Sequence, residues 1–366
     1  MIAITDLPDL VRGLKKEDAE VFERLYRVHE DEGELTFPKD MIGWADKTFG
    51  DHANVEKQKI VKTINRLTFE GALFNDLRSK RPKVAAEKDD KELEQIKQSG
   101  CDPFCTPLKM TPADTFGRVS GRHSESASNV AKYDALHGLV IFKKHNPLDF
   151  TEKEVQDHIA TANKWIAVAH RKNPFAKYPF VLWNCLWRAG ASVIHGHMQM
   201  LLGRHEHYAE VEHYKKVRSE YNARTGREYF DDMYLAHRAI SLGFESKRIK
   251  VFCSITPKKD KEITLIGEKL DSKMASAIYK SAKCLTEDFG AGSFNVAVMM
   301  PPIEEKALFR KREINEWTGF PVVARIVDRG ALANKTTDVA GMEMYSGSVV
   351  VETDPYRVIE KLKERF

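Results

Sequence analysis

Apolar positions along this chain recur with two different periods, and the change of period divides it. In residues 16–28, Val21, Leu25 and Val28 follow acidic residues at helical spacing, which predicts an amphipathic helix. Two more helices are expected over residues 38–47 and 55–67. Further on, Leu139-Val-Ile-Phe is a short apolar run that predicts a buried strand ending near His145, then a turn and a helix from Thr151. The stretch from Asn184 to Gln199 closes on a predicted strand. Side chains alternate along a strand, so His195, His197 and Gln199 point to one side of it. Residues 208–221 are amphipathic and are read as a helix. From residue 241 onward, strand-like pieces at 249–255, 262–266 and 294–300 alternate with a long helix over 270–289. The pattern as a whole predicts an α+β chain with a helical extension at residues 1–64.

Composition narrows the function classes. A length of 366 residues leaves room for about two ordinary domains. Lys and Arg total 58 against 54 acidic residues, a net charge of +4, which gives no general case for nucleic-acid binding. The three N-terminal helices could form a winged-helix-like module, but charges of both signs alternate there without a basic face, so a helical cap on the remainder is the expectation. No run reaches the roughly 18 apolar residues of a membrane helix, and no basic-then-apolar leader opens the chain. Five cysteines, three of them far apart, suit reduced thiols and a cytoplasmic setting. Residues 83–100 are rich in Lys, Glu and Asp and are read as an exposed linker.

The candidate chemistry gathers around Asn184-Cys-Leu-Trp-Arg-Ala-Gly190-Ala-Ser192-Val-Ile-His195-Gly-His197-Met-Gln199. A neutral imidazole can attack phosphorus, and a covalent histidine intermediate splits one hard transfer into two easier ones. That chemistry needs donors for phosphoryl oxygens. Gly190 and Ser192 let backbone N–H groups and a hydroxyl approach an anion, while Asn184 and Gln199 add neutral donors. The alternative is that His195 and His197 are two ordinary histidines on a half-exposed strand.

The spacing Asn-x5-Gly-x-Ser-x2-His-x-His-x-Gln resembles the active-site signature of the galactose-1-phosphate uridylyltransferases, a branch of the histidine-triad superfamily. Phosphorylases of dinucleoside tetraphosphates and of sugar nucleotides share its His-x-His-x-Gln core. The resemblance implies that His197 is the nucleophile and Gln199 its partner, and that Asn184, Gly190 and Ser192 hold phosphates. It implies a structural Zn²⁺ bound by Cys101, Cys105, His145 and His195. The family usually has two residues between its cysteines and this chain has three, which leaves Cys101 less secure than Cys105. Arg78 and Arg81 match the arginines of an Arg-x-Lys-Arg-Pro segment that faces nucleotide phosphates. Asn129 falls where the family holds base and ribose, and Tyr133 could stack on a base or simply pack. Glu343 matches the glutamate of a hexose-lining Gly-Tyr-Glu-Met segment. Met342 replaces the tyrosine of that segment, and Thr337-Asp338 replace the lysine-phenylalanine pair before it. His205, Glu206, His207 and His213 lack the partner motif for a second metal and are read as a solvated helix start.

The expected organisation follows from that resemblance: two histidine-triad-like halves with antiparallel sheets flanked by helices, at residues 65–215 and 216–366, the second without a catalytic motif. The implied activity moves a nucleoside monophosphate, UMP in the family, between a sugar nucleotide and a sugar 1-phosphate. A sugar-nucleotide or dinucleoside polyphosphate phosphorylase is the alternative within enzymes, and a nucleotide-sensing regulatory protein the alternative outside them. The expected partners are the two substrates and, as an open option, a second copy of the chain in a homodimer. Neither a membrane nor nucleic acid is expected.

Overall fold

The computed structural model describes residues 2–80, 90–303, 316–334 and 337–366. It is an α+β structure in which, among those residues, the strands form two sheets. The smaller sheet consists of β1 (Tyr26–Glu34), β2 (Lys57–Asn65), β3 (Gly71–Phe74) and β13 (Ser348–Val351), in that order. The larger has nine strands: β4 (Ser124–Ser128), β5 (His137–Phe142), β6 (Tyr178–Cys185), β7 (His197–Gly203), β8 (Gly243–Ser246), β9 (Ile249–Cys253), β10 (Ile263–Gly267), β11 (Phe294–Met299) and β12 (Val322–Asp328). Their spatial order is β4-β5-β7-β6-β11-β12-β10-β9-β8.

That order contains one topology twice. In the first half two strands, the helix Glu152–Lys172 and two more strands give β4-β5-β7-β6; in the second, the helix Ser272–Lys283 is crossed in the same way to give β9-β10-β12-β11. The halves share one sheet because β6 and β11 pair antiparallel. Both helices start on designed-looking caps. Thr151 and Glu154 satisfy each other's backbone N–H groups in a capping box, and Asp271 accepts from Lys273 and Met274 N–H, as orphan helix donors require. The longer helix buries Val155, Ile159, Ala162, Trp165 and Ala169. Gly138 of β5 is glycine because a Cβ there would lie 2.6 Å from the Trp165 ring. Since side chains alternate, Val140, Met198 and Met200 share that helix-covered side and join the core. The odd-numbered residues of β5 and β7 face the other way.

The N-terminal extension is only partly helical. Helices cover Leu7–Arg12, Lys16–Leu25 and Ile42–Phe49, but the segment expected as a third helix is β2, paired along its length with β1. The helical spacing of Ile60, Ile64 and Leu67 coexists there with a β-branched run, and such residues are stiff at χ1 and fit a pleated surface better. The buried positions, Val61, Thr63 and Asn65, follow a period of two. Residues 90–98 of the expected linker form the helix Asp90–Gln98. No helix among the described residues is long and apolar enough to cross a membrane.

Candidate active site

The candidate residues on β6 and β7 lie on the side of the sheet away from the long helix. His197 opens β7 opposite Ile141, and Gln199 lies between Leu139 and Leu182. Carrying the β6/β7 register two places further sets Asn184 beside His197. Before β7 the chain makes a tight turn: Leu186 is held at φ 67° and Gly190 at φ 90°, around the short 3-10 helix Trp187–Ala189. Gly190 is exposed with open space where a Cβ would be, so its left-handed backbone is what calls for glycine. Gly196, between the two histidines, is needed for a different reason. A Cβ there would come within 2.4 Å of the Phe142 ring. Ser192 is exposed on the same turn.

His197 is buried, and its Nδ1 lies 2.9 Å from the His195 carbonyl. A carbonyl only accepts, so Nδ1 carries the proton and Nε2 keeps its lone pair. Burial lowers the affinity of this ring for a second proton, partly offset by the hydrogen bond to the His195 carbonyl. It is therefore held as a neutral imidazole with its nucleophilic nitrogen defined. Phe104 packs edge-on against the ring at 5.2 Å between centroids, and its own support is a small apolar patch of Ala127, Leu139 and Ile141 on the same side of the sheet.

Gln199 is clamped from one side. Tyr133 Oη donates to its Oε1, and His137 Nε2 lies 3.0 Å from the same oxygen. Asn129 Nδ2 reaches that His137 nitrogen at 3.1 Å, while Asn129 Oδ1 accepts from Ala131 N–H. Burial lowers the His137 pKa. The structure thus joins Asn129 and Tyr133 to Gln199, with the Tyr133 ring packed on His137 at 4.1 Å.

Beside this group four donors converge: Asp102, Cys105, His145 and His195. His195 donates Nε2–H to the Phe142 carbonyl at 2.7 Å, and His145 Nε2 is 2.7 Å from Ser99 Oγ, so both rings turn Nδ1 inward. The two Nδ1 atoms are 3.2 Å apart. Cys105 Sγ lies 3.3 Å from that of His145 and 3.5 Å from that of His195, and Asp102 Oδ1 lies 3.3 Å from His195 Nδ1. A tetrahedral metal with ligand distances of about 2.0–2.3 Å has edges of about 3.3–3.8 Å. The spacing fits a metal ion, and the Nε2 anchors are the outer hydrogen bonds that ligating histidines ordinarily make.

One member of this group differs from the expectation. Cys101 is exposed; its thiol neighbours that of Cys105, which burial and this contact push up to about 11, but it is not among the four converging donors. Asp102 stands there instead. With three residues between the cysteines, Pro103–Cys105 closes into a 3-10 turn capped by Asp102, whose Oδ1 accepts from Phe104 N–H at 2.9 Å. The cap brings the carboxylate to the histidines.

The remaining expected residues are less central. Arg78 sits on the 3-10 helix Asp76–Lys80, its Nε buried without a hydrogen-bond partner among the described residues, and no contact among them joins it to His197. Arg81 lies outside the described residues. Glu343 is engaged by Lys259 at 3.3 Å and by the Ala340 N–H at 3.0 Å. His207, set aside as a metal ligand, is buried and lies 3.1 Å from the Met300 carbonyl, so it is a packed residue and not part of a solvated helix start. Sequence reasoning missed Asp102 and His137. It also missed Asn295, whose amide donates to Asn184 Oδ1 at 2.7 Å. The Asp-Pro pair after Cys101 is a capping signal that could have pointed to Asp102; nothing local points to the others.

No protein-family model matches the chain, and no curated protein sequence matches it. Solved structures do. An ADP-glucose phosphorylase from Arabidopsis thaliana, solved with bound ADP-glucose, superposes with a TM-score of 0.59 at 17% identity, covering 82% of this chain and 97% of that one. A GalT-like protein from the same plant gives 0.56 at 18% identity, covering 73% and 93%. A uridylyltransferase gives 0.55 at 13% identity, covering 82% and 97%. The chain therefore shares its fold with an ADP-glucose phosphorylase, a GalT-like protein and a uridylyltransferase.

Proposed function

We propose that this chain is a nucleotidyltransferase that passes a nucleoside monophosphate from a sugar nucleotide to an acceptor phosphate through a covalent nucleotidyl-histidine at His197. The observation that carries the reading is the His197 ring: buried, neutral, and fixed by the 2.9 Å contact of Nδ1 with the His195 carbonyl, so that Nε2 faces the side of the sheet shared with Gln199 and Asn184. In the first step Nε2 attacks the α-phosphorus, the bond from that phosphorus to the bridging oxygen breaks, and sugar 1-phosphate leaves with the electron pair. In the second, an oxygen of the acceptor phosphate attacks the same phosphorus and the P–N bond breaks, restoring the neutral ring. Phosphate groups are good leaving groups and acceptors, so no proton need be moved. Catalysis then rests on positioning and on donors for the charge that develops. Gln199 and Asn184 are the side-chain donors of this proposal, and the turn that Gly190 closes by donating its own N–H to the Trp187 carbonyl presents the Ser192 hydroxyl to the phosphates. Arg78, Arg81 and Asn129 are assigned to the nucleotide and Glu343 to the sugar.

Asp102, Cys105, His145 and His195 would hold zinc, given a donor set of one sulfur, two nitrogens and one oxygen that suits this ion. With four protein donors the site is closed. Zinc would supply a structural link between the 101–105 turn, the end of β5 and the start of β7.

The acceptor is either a sugar 1-phosphate, as in a uridylyltransferase, or inorganic phosphate. The likeness to an ADP-glucose phosphorylase favours testing the second equally. Incubation with ADP-glucose or UDP-glucose labelled at the α-phosphate should leave label on the protein, and chasing with inorganic phosphate or with glucose 1-phosphate tells the two acceptors apart. A protein that binds nucleotide without ever taking up label would be a sensor instead. All five cysteines are free, and on that ground the proposal places the enzyme in the cytoplasm.

A further inference from the structure

The second half has no counterpart of the stretch from Asn184 to Gln199, yet it reaches that stretch through hydrogen bonds. Asn295 on β11 lies directly across from Asn184 on β6. Its Nδ2 donates to Asn184 Oδ1 at 2.7 Å and to the Ala189 carbonyl at 2.9 Å. Its Oδ1 accepts from Arg329 Nη1 at 2.5 Å. Arg329, one residue past β12, is gripped in turn by Asp338, through Nε and, at 3.1 Å, through Nη2. Arg329 and Asp338 keep only 22% and 15% of their side-chain surface exposed, so the pair is shielded enough to hold its geometry.

An amide side chain can ordinarily be turned over, exchanging oxygen for nitrogen. Here that freedom is removed at both ends. The Ala189 carbonyl can only accept and the Arg329 guanidinium can only donate, so Asn295 has one orientation. Through it Asn184 has one as well: its carbonyl is taken by Asn295, and its NH2 is turned away from β11. No other side chain among the described residues bonds the Asn184 amide. Two amides in series, fixed by a charged pair, thus turn a residue of uncertain direction into a donor.

We propose that Asn295, oriented by the Arg329–Asp338 pair, is a positioning residue that sets the Asn184 amide so that its NH2 donates to the phosphoryl group transferred at His197. This rests on the nucleotidyl-transfer reading of the site. The cation of Arg329 stays two amides behind the reacting group and is balanced by Asp338, so it polarises the donor without trapping an anionic product. The second half would then contribute to transfer by orienting and polarising a donor of the first.

The test is a cycle between Asn295→Asp and Asn184→Ala. Asp has the shape of Asn but only accepts, so it keeps the bond to Arg329 and forces Asn184 to turn its NH2 inward. In the Asn295→Asp protein the rate of label transfer from ADP-glucose or UDP-glucose to His197 should fall about 10²-fold with KM raised by no more than about tenfold, the sign of a donor that counts for more in the transition state than in the ground state. Affinity for the probes AMP and UMP, read by calorimetry, should fall by about tenfold. In the Asn184→Ala background the same substitution should change neither rate nor affinity further. Arg329→Lys, which keeps a donor, should retain more of both than Arg329→Met, and this second pair serves if Asn295→Asp fails to fold. Unchanged rate and affinity in folded Asn295→Asp, or losses that add in the double variant, would overturn the proposal. If the wild type binds AMP or UMP yet takes up no label, the transfer reading fails and the positioning claim is judged on affinity. If it binds neither, both fall.

Discussion

One row of side chains crosses the large sheet from the first half into the second, and it ends differently on the two sides. Next to the junction stand Leu182 on β6 and Ala297 on β11. One strand further out lie Gln199 on β7 and Arg325 on β12, and beyond them Leu139 and Thr264. Gln199 and Arg325 therefore occupy matching places in the two halves. Around Gln199 the polar groups are neutral, Tyr133, His137 and Asn129. Around Arg325 they are charged. Its guanidinium holds Glu262 through two bonds of 2.9 Å and Glu70 through one of 2.7 Å, and Tyr214 Oη accepts from it. Lys258 lies 3.1 Å from Glu70. Burial alone would raise the Glu70 pKa, but Arg325 and Lys258 hold it down to about 2. For Glu262 burial dominates and raises it in spite of Arg325.

The difference teaches what a site needs. A charged cluster that satisfies itself has nothing left to offer a ligand, whereas neutral donors beside an unprotonated imidazole can stabilise negative charge when it arrives. The same frame serves structure on one side and, in the reading proposed above, chemistry on the other.

The sharpest break of this comparison is His197→Ala, which should abolish transfer and all trapped label while leaving the melting temperature close to that of wild type. Normal turnover by the purified variant would remove the nucleophile assignment. Next come the two matching positions. Arg325→Met leaves the buried Glu262 without its cation and Glu70 with Lys258 alone, and should cost about 3–5 kcal/mol of stability, measured by urea unfolding, with transfer per folded molecule retained. Gln199→Met should reverse the pattern, near neutral in stability but slower by about 10²-fold. If both variants behave alike, the division of labour between the halves is wrong.

The metal prediction is smaller in rate and larger in folding. One zinc per chain is expected by metal analysis, and Asp102→Ala or Cys105→Ser should each lower both zinc content and melting temperature, because a structural site contributes directly to folding. Cys101→Ser should lower them less. An Asp102→Ala protein with full zinc would return Cys101 to the ligand set. The smallest effect is expected at Glu343, whose carboxylate is already engaged by Lys259. Glu343→Gln should shift the preference among hexose 1-phosphates or hexose nucleotides without slowing label uptake. No shift for any sugar would mean that this segment does not line the site.

Much of this was legible in the chain because it is local. A period of two is enough to put His195, His197 and Gln199 on one side of a strand. The α+β architecture follows from strands alternating with two long helices. Two kinds of feature were not legible. Where one segment satisfies both periods, as residues 55–67 do, the choice is made by pairing with β1, which the segment does not contain. Where partners are far apart, no local signal exists: Asn295 meets Asn184, and Arg325 meets Glu262 and Glu70, only because of sheet order and register. Asp102 is intermediate, since its place among the metal donors depends on how a three-residue spacer coils.

The central claim is that His197 becomes covalently nucleotidylated, and the most direct measurement is mass spectrometry of the protein after brief incubation with ADP-glucose or UDP-glucose and quenching in base. The account predicts a mass increase of one nucleoside monophosphate residue, lost in acid, mapping to the peptide that contains His197 and absent from His197→Ala. An adduct of the same mass that persists in His197→Ala, or turnover by wild type with no adduct under conditions that trap acid-labile phosphoramidates, would contradict it.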